Sequence, residues 1–239
     1  MAKGFFITGT DTGVGKTIVS AALIHFLRGR GLSVCAMKPI ESGCAGKDGA
    51  LVPSDGIFLR EAAGMVEDIT AVTPYALEAP LAPMVASDIE GIRIDPERIK
   101  RIFYGLAVNY DAAVVEGVGG LLVPIRKDYF VLDLAVDLGL PVIIVARPGL
   151  GTINHTLLTL RCALSAGAQV AGIIINNPAG DGGDDDHARR TNPEVIKELA
   201  GVPLIGVFPY LAEMYGQNNK NLEKAASASL DRDCLMRFL

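Results

Sequence analysis

The amino-acid sequence predicts an α/β protein: a mostly parallel β-sheet with helices on both faces. Two observations carry this reading. Six apolar runs are nearly continuous, as in strands buried on both sides. Amphipathic stretches with helical periodicity fall between them, and such alternation builds parallel βαβ units. At 239 residues, half of them hydrophobic, the chain fits one domain over 1–239 with a large core.

In chain order the strand candidates are Gly4–Gly9, Ser33–Lys38, Ala112–Gly117, Pro141–Ala146, Val170–Asn176 and Leu204–Val207. The helix candidates are Lys16–Arg30, Asp55–Gly64, Pro96–Val108, Phe130–Leu138, Ile153–Ala166 and Pro193–Leu199. Ser54, Asp95 and Asn192 each precede a helix start as N-cap signals, the last two followed by proline. Thr73–Pro83 reads as an irregular excursion with a short helix after it. Gly180–Arg190 is the most polar tract and reads as a solvated loop. The last twenty residues read as helical, with Leu222, Ala225, Ala226 and Leu230 on one face.

Between the first strand and the first helix stands Gly9-Thr10-Asp11-Thr12-Gly13-Val14-Gly15-Lys16-Thr17. This is a variant P-loop, with five residues rather than four between Gly9 and Gly15, and it sets the architecture as P-loop NTPase. Glycines let backbone N–H groups converge on phosphate, and the helix start adds unpaired N–H groups and the positive dipole end. Lys16 is placed to reach the outer phosphates, and the Thr17 hydroxyl suits Mg²⁺.

In a parallel sheet, ligands bind beyond the C-terminal strand ends. Lys38 stands at the end of the second strand. Glu116-Gly117-Val118-Gly119-Gly120 runs on from the tip of the third, and its carboxylate fits a Mg²⁺ site facing Thr17. Gly149 to His155 turn into a helix after the fourth strand, and Asn176-Asn177 close the fifth with amides suited to a base edge. Pro209-Tyr210-Leu211 follow the sixth as a lip for a base pocket. By itself Asp55 reads as a first-turn helix acid.

A net charge of −5 without a basic stripe argues against a nucleic-acid partner. Cys35, Cys44, Cys162 and Cys234 lack metal or redox spacing, which suits a reducing compartment. The N-terminal apolar run is only three residues, and no stretch approaches the ~20 apolar residues that span a bilayer. The expectation is a cytoplasmic protein with no membrane partner.

Seven segments in this order resemble the dethiobiotin synthetase family: GTDTGVGKT at 9–17, KPIESG at 38–43, Ser54-Asp55, EGVGG at 116–120, LGTINH at 150–155, Asn176-Asn177 and Pro209 to Leu211. The resemblance implies ATP-dependent closure of a ureido ring on 7,8-diaminononanoate with CO₂. It implies that Thr12, Gly13, Val14, Gly15, Lys16 and Thr17 cradle the phosphates. Thr17, Asp55 and Glu116 are implied to hold Mg²⁺, with Gly117, Val118 and Gly119 beside the nucleotide. Asn176, Asn177, Pro209, Tyr210 and Leu211 are implied around adenine. Lys38 and Lys16 are the implied catalytic cations. Thr12, Lys38, Ser42, Gly119, Leu150 and Asn154 are implied to meet the substrate, the last two from the neighbour in a homodimer. Gly13 and Gly216 depart from acids found in some relatives. Switch ATPases that share the P-loop carry a second lysine early in the loop; here that position is Asp11.

Overall fold

The computed structural model describes residues 3–47, 49–177, 187–211 and 219–239. β1 (Gly4–Gly9) leads through α1 (Lys16–Arg28) to β2 (Val34–Met37). An excursion follows: β3 (Ile40–Ser42), β4 (Ala45–Lys47), β5 (Ala50–Val52), α2 (Ser54–Ala63), α3 (Ile69–Val72), β6 (Tyr75–Leu77), α4 (Pro83–Glu90) and α5 (Pro96–Ala107). The chain returns in β7 (Ala112–Gly120), then forms the small hairpin β8 (Pro124–Arg126) and β9 (Tyr129–Phe130). After it come α6 (Val131–Leu138), β10 (Val142–Ala146), α7 (Thr152–Ser165), β11 (Val170–Asn176), α8 (His187–Ala200) and β12 (Leu204–Phe208). α9 (Asn219–Ser229) and α10 (Arg232–Met236) end the chain.

Six strands form one parallel sheet in the order β12-β11-β10-β1-β7-β2. The connection from β1 to β2 runs one way along the sheet, and those from β7 through β10 and β11 to β12 run the other way. Right-handed crossovers therefore put α1 on one face and α6, α7 and α8 on the opposite face. The reversal falls at β1, so the loop after β1 sits at the topological switch point. Every residue of β1, β2 and β10 is buried, as the continuous apolar runs require. The buried apolar side chains form one continuous cluster, with Phe5, Phe6, Phe26, Phe103 and Phe208 its largest members. Cys35 and Cys44 are buried free thiols, pushed by burial up to about 12 and about 11. Among the described residues no helix is long and apolar enough to cross a membrane.

Four local expectations fail, each for a tertiary reason. Residues 180–186 of the polar tract lie outside the described residues; 187–190 belong to α8, and Pro193 lies inside that helix rather than at its start. Asn192 does not cap it; its buried amide donates to the Pro148 and Gly149 carbonyls at 2.9 and 3.1 Å. That tie and the burial of Ile196 offset an interior proline, which costs ~3 kcal/mol locally. Ser54 lies within α2, whose cap position is Pro53. The stretch after Thr73 is not wholly irregular: β6 pairs in parallel with β3, matching Glu41 to Ala76. The C-terminal helix breaks at Leu230, which bridges Gly206, while the Asp231 N–H donates to the Ile205 carbonyl. Asp231 then caps α10 by accepting from the Cys234 N–H.

Gly4 shows how tightly the sheet centre is closed. It has φ +140°, and a Cβ there would lie 1.9 Å from the Ala113 carbonyl oxygen on β7. Gly4→Ala should cost at least ~2 kcal/mol of unfolding free energy. Urea denaturation measures this, and a variant as stable as the parent would contradict the packing.

Candidate active site

The P-loop leaves β1 at the switch point and enters α1. Gly13 and Gly15 take φ +76° and +85°, the left-handed region that favours glycine. Gly15 is the N-cap of α1 and supplies no side-chain cap; N–H groups at such a helix start suit an anion. The Asn176 amide, 2% exposed at the end of β11, donates to the Val14 carbonyl at 2.9 Å and ties the loop to the sheet.

Glu116 lies on β7 opposite Ile7 of β1, and is fully buried. Its Oε1 accepts from the Thr17 hydroxyl at 2.9 Å and from the Lys38 ammonium. Lys38 follows β2 and also donates to Asp55 Oδ2 at 3.1 Å, on the first turn of α2. Residues from four segments therefore meet around one ammonium. Burial alone would push Lys38 down, but Glu116 and then Asp55 outweigh it and hold its pKa above the ordinary lysine value. Lys16 moves the other way. Burial, with Lys38 nearby, lowers it to about 8, against the opposing charges of Glu116, Asp55 and Asp11. Its ammonium donates to the Asp11 carbonyl at a long 3.3 Å. The second oxygen of Glu116, Oε2, is buried and accepts no hydrogen bond from the described residues.

These groups line a cleft of about 680 Å³. Its polar wall holds Thr12, Gly13, Gly15, Lys16, Thr17, Lys38, Ser42, Asp55, Glu116 and Gly119; its apolar wall is Pro80 to Pro83, Val118 and Val123. A second hollow of about 440 Å³ shares Thr12 and Gly13 and adds Val14, Arg147, Leu150, Asn177 and Arg189. Asn177 accepts from the Arg189 guanidinium at 2.9 Å. Other expected residues stand apart. Gly117 packs inward, where a Cβ would lie 3.0 Å from Val131 and 3.1 Å from Phe6. Asn154 is exposed on the first turn of α7; Pro209, Tyr210 and Leu211 follow β12, and these four are not among the lining residues of either hollow. Leu150 and Leu158 are 89% and 59% exposed. Gly216 lies outside the described residues.

One residue of the cleft carried no assigned role in the sequence. Glu41 is buried, and its carboxylate accepts from Asp55 N–H at 3.0 Å, Gly56 N–H at 2.9 Å and Ser54 Oγ at 3.3 Å. It caps α2 from another strand, where Pro53 has no cap to offer. The available signal was an acid between Ile40 and Ser42, thirteen residues ahead of a helix start that has a proline at its cap.

The geometry is that of a phosphate cradle beside a lysine held by two carboxylates. Comparison with known proteins agrees. A family model described as an AAA domain matches residues 3–218. The ATP-dependent dethiobiotin synthetase BioD of Thermodesulfovibrio yellowstonii is 50% identical, covering 99% of both chains. The enzyme of that name from Bacillus subtilis strain 168 is 42% identical over 89% of each. Among solved structures, septum site-determining MinD complexed with Mg-ADP from Pyrococcus horikoshii aligns with TM-score 0.59 at 20% identity, over 95% of this chain and 96% of that one. Pyrococcus furiosus MinD gives 0.56 at 17% identity, over 94% and 97%. Those two likenesses establish the P-loop NTPase fold. With its sequence relatives matched over nearly their whole length, the chain belongs to the ATP-dependent dethiobiotin synthetase family.

Proposed function

We propose that this cleft carries out the family's reaction, and that the Lys38 ammonium between Asp55 and Glu116 at the P-loop is the observation that carries the residue assignments. A neutral amine of 7,8-diaminononanoate adds to CO₂, loses a proton and becomes a carbamate. A carbamate oxygen attacks the γ-phosphorus of ATP, and ADP departs. The second amine attacks the carbonyl carbon of the mixed anhydride, phosphate leaves, the attacking nitrogen gives up a proton and the ureido ring closes, giving dethiobiotin. Backbone N–H groups of Thr12 to Thr17 and the Lys16 ammonium hold the outer phosphates. Lys38 faces the charge that exists only after CO₂ has added, so it favours the later states over the bound substrates. The wall from Pro80 to Pro83 with Val123 suits the methylene chain, and Ser42 and Gly119 border it. Asn176, Asn177 and Pro209 to Leu211 are read as the adenine side, with Gly117 and Val118 beneath the nucleotide.

Mg²⁺ fits the residues present. Among the described residues no three acids, histidines or cysteines form a cage. Mg²⁺ does not need one, since it uses one or two carboxylates with phosphate oxygens and water. Glu116 Oε2 is a buried acceptor without a partner, as a ligand atom awaiting a cation would be. Thr17, Asp55 and Glu116 would hold the ion, which when bound neutralises charge on the phosphates.

The continuous core supports reading 1–239 as one domain. Leu150, exposed just before α7, and Leu158, exposed midway along it, support a homodimer in which Leu150 and Asn154 reach the neighbour's substrate. Composition supports a cytoplasmic setting, without nucleic acid or membrane as partner.

The defining measurement is ATP turnover, expected only with both diaminononanoate and bicarbonate. Turnover stimulated instead by DNA or lipid would overturn the reading. Lys16→Ala should lower turnover by at least about 100-fold, since phosphates and transferring group lose a cation. Lys38→Met should lower kcat by a similar factor while changing ATP affinity little. Equal losses in kcat and in nucleotide affinity, measured by calorimetry, would remove Lys38 from the chemistry.

The dimer is tested by mixing two inactive variants, Lys38→Ala and Asn154→Ala. If each site takes Lys38 from one chain and Asn154 from the other, random reassortment restores about one quarter of sites. No regained activity after verified subunit exchange places Asn154 within its own chain or outside the site.

A further inference from the structure

We propose that Glu41 is a positioning residue that fixes Asp55 for metal binding. The proposal rests on the reading of Asp55 as a metal ligand. The carboxylate of Glu41 is 6% exposed and comes from β3, whose register against β6 places it opposite Ala76. Both oxygens are engaged at the start of α2. Oε1 accepts from the Asp55 N–H at 3.0 Å and Ser54 Oγ at 3.3 Å; Oε2 accepts from the Gly56 N–H at 2.9 Å. α2 has no cap of its own, because Pro53 stands at the cap position. The first backbone N–H groups of α2 are therefore satisfied by another segment, and one of them belongs to Asp55 itself.

The same segment carries Lys38, three residues earlier, which holds the other end of Asp55 through Oδ2. The carboxylate is thus fixed at its backbone by Glu41 and at its oxygen by Lys38. A cation that displaces Lys38 from Asp55 leaves the Glu41 contacts as the fixed reference for that carboxylate. Space around the contact is closed: a Cβ on Gly56 would lie 2.0 Å from Thr73 Oγ1 and 3.6 Å from Glu41 Oε2. Burying a second acid beside Asp55 is unfavourable, and burial indeed pushes the Glu41 carboxyl up. The backbone donors offset that cost, as charge-assisted hydrogen bonds at a helix start do.

The test titrates Mn²⁺ into the enzyme holding an ATP analogue whose γ-phosphoryl group cannot transfer, read by electron paramagnetic resonance. Glu41→Gln puts an amide N–H against a backbone N–H, and should weaken Mn²⁺ about 10-fold, the loss usual for a partner behind a metal ligand. Gly56→Ala keeps every charge but pushes the start of α2 away, and should weaken Mn²⁺ similarly. Arg28→Ala removes the guanidinium that donates to the Ala62 carbonyl at 2.5 Å, at the far end of α2. It should lower Tm and leave Mn²⁺ affinity within twofold. The proposal falls if Glu41→Gln binds Mn²⁺ within twofold of the parent, or if Arg28→Ala weakens it as much. It also falls if folded Gly56→Ala binds normally, because Glu41 would then act through charge alone. Asp55→Asn separates the two levels: Mn²⁺ affinity unchanged in that variant overturns the ligand reading itself, whatever Glu41 does.

Discussion

The carboxylate of Glu116 is the constraint around which the site is built. It is fully buried on a central strand, beside the strand that launches the P-loop. An unpaired carboxylate in that position would cost several kcal/mol. One oxygen is satisfied by the Thr17 hydroxyl and the Lys38 ammonium, and both contacts have consequences. The first fixes the start of α1 against β7. The second brings the end of β2 into the cleft and, through Asp55, the start of α2. Removing Glu116 would leave Lys38 buried with one partner, so chemistry and architecture share the same contact.

The sheet was legible because its signal is redundant. Each central strand is a run of apolar residues, and β1 and β11 end where those runs end. The P-loop was legible because its glycines and Gly-Lys-Thr have few other uses between a strand and a helix. Lys38 and Glu116 stand at predicted strand ends and Asp55 enters through the family resemblance; the geometry brings all three within hydrogen-bonding reach.

What was not legible depends on partners distant in sequence. Pro193 and Asn192 carry the local signature of a helix start, but the Asn192 amide is taken up by the Pro148 and Gly149 carbonyls and both residues lie inside α8. Ser54 carried the signature of a cap, but the cap is an acid thirteen residues earlier. β3 and β6 are three residues each, too short for periodicity to register, yet their pairing places Glu41. The sequence shows residue types; these features are set by which backbone groups lack a partner.

The two lysines complete the electrostatic logic. Both are buried at one cleft, and burial disfavours the charge on both. Lys38 has two carboxylates supplied by the protein, so its charge is stabilised before any ligand arrives. Among the described residues Lys16 has only a carbonyl at 3.3 Å and more distant acids, and burial lowers it to about 8. In the proposed reading, phosphate is the anion that would pair with Lys16. The protein thus fixes one cation with its own acids and holds the other against a backbone carbonyl. Two fixed pairs would attract triphosphate less, and two unpaired lysines would repel each other across the cleft. Glu116 and Asp55, by holding Lys38, make it possible for Lys16 to stand beside it.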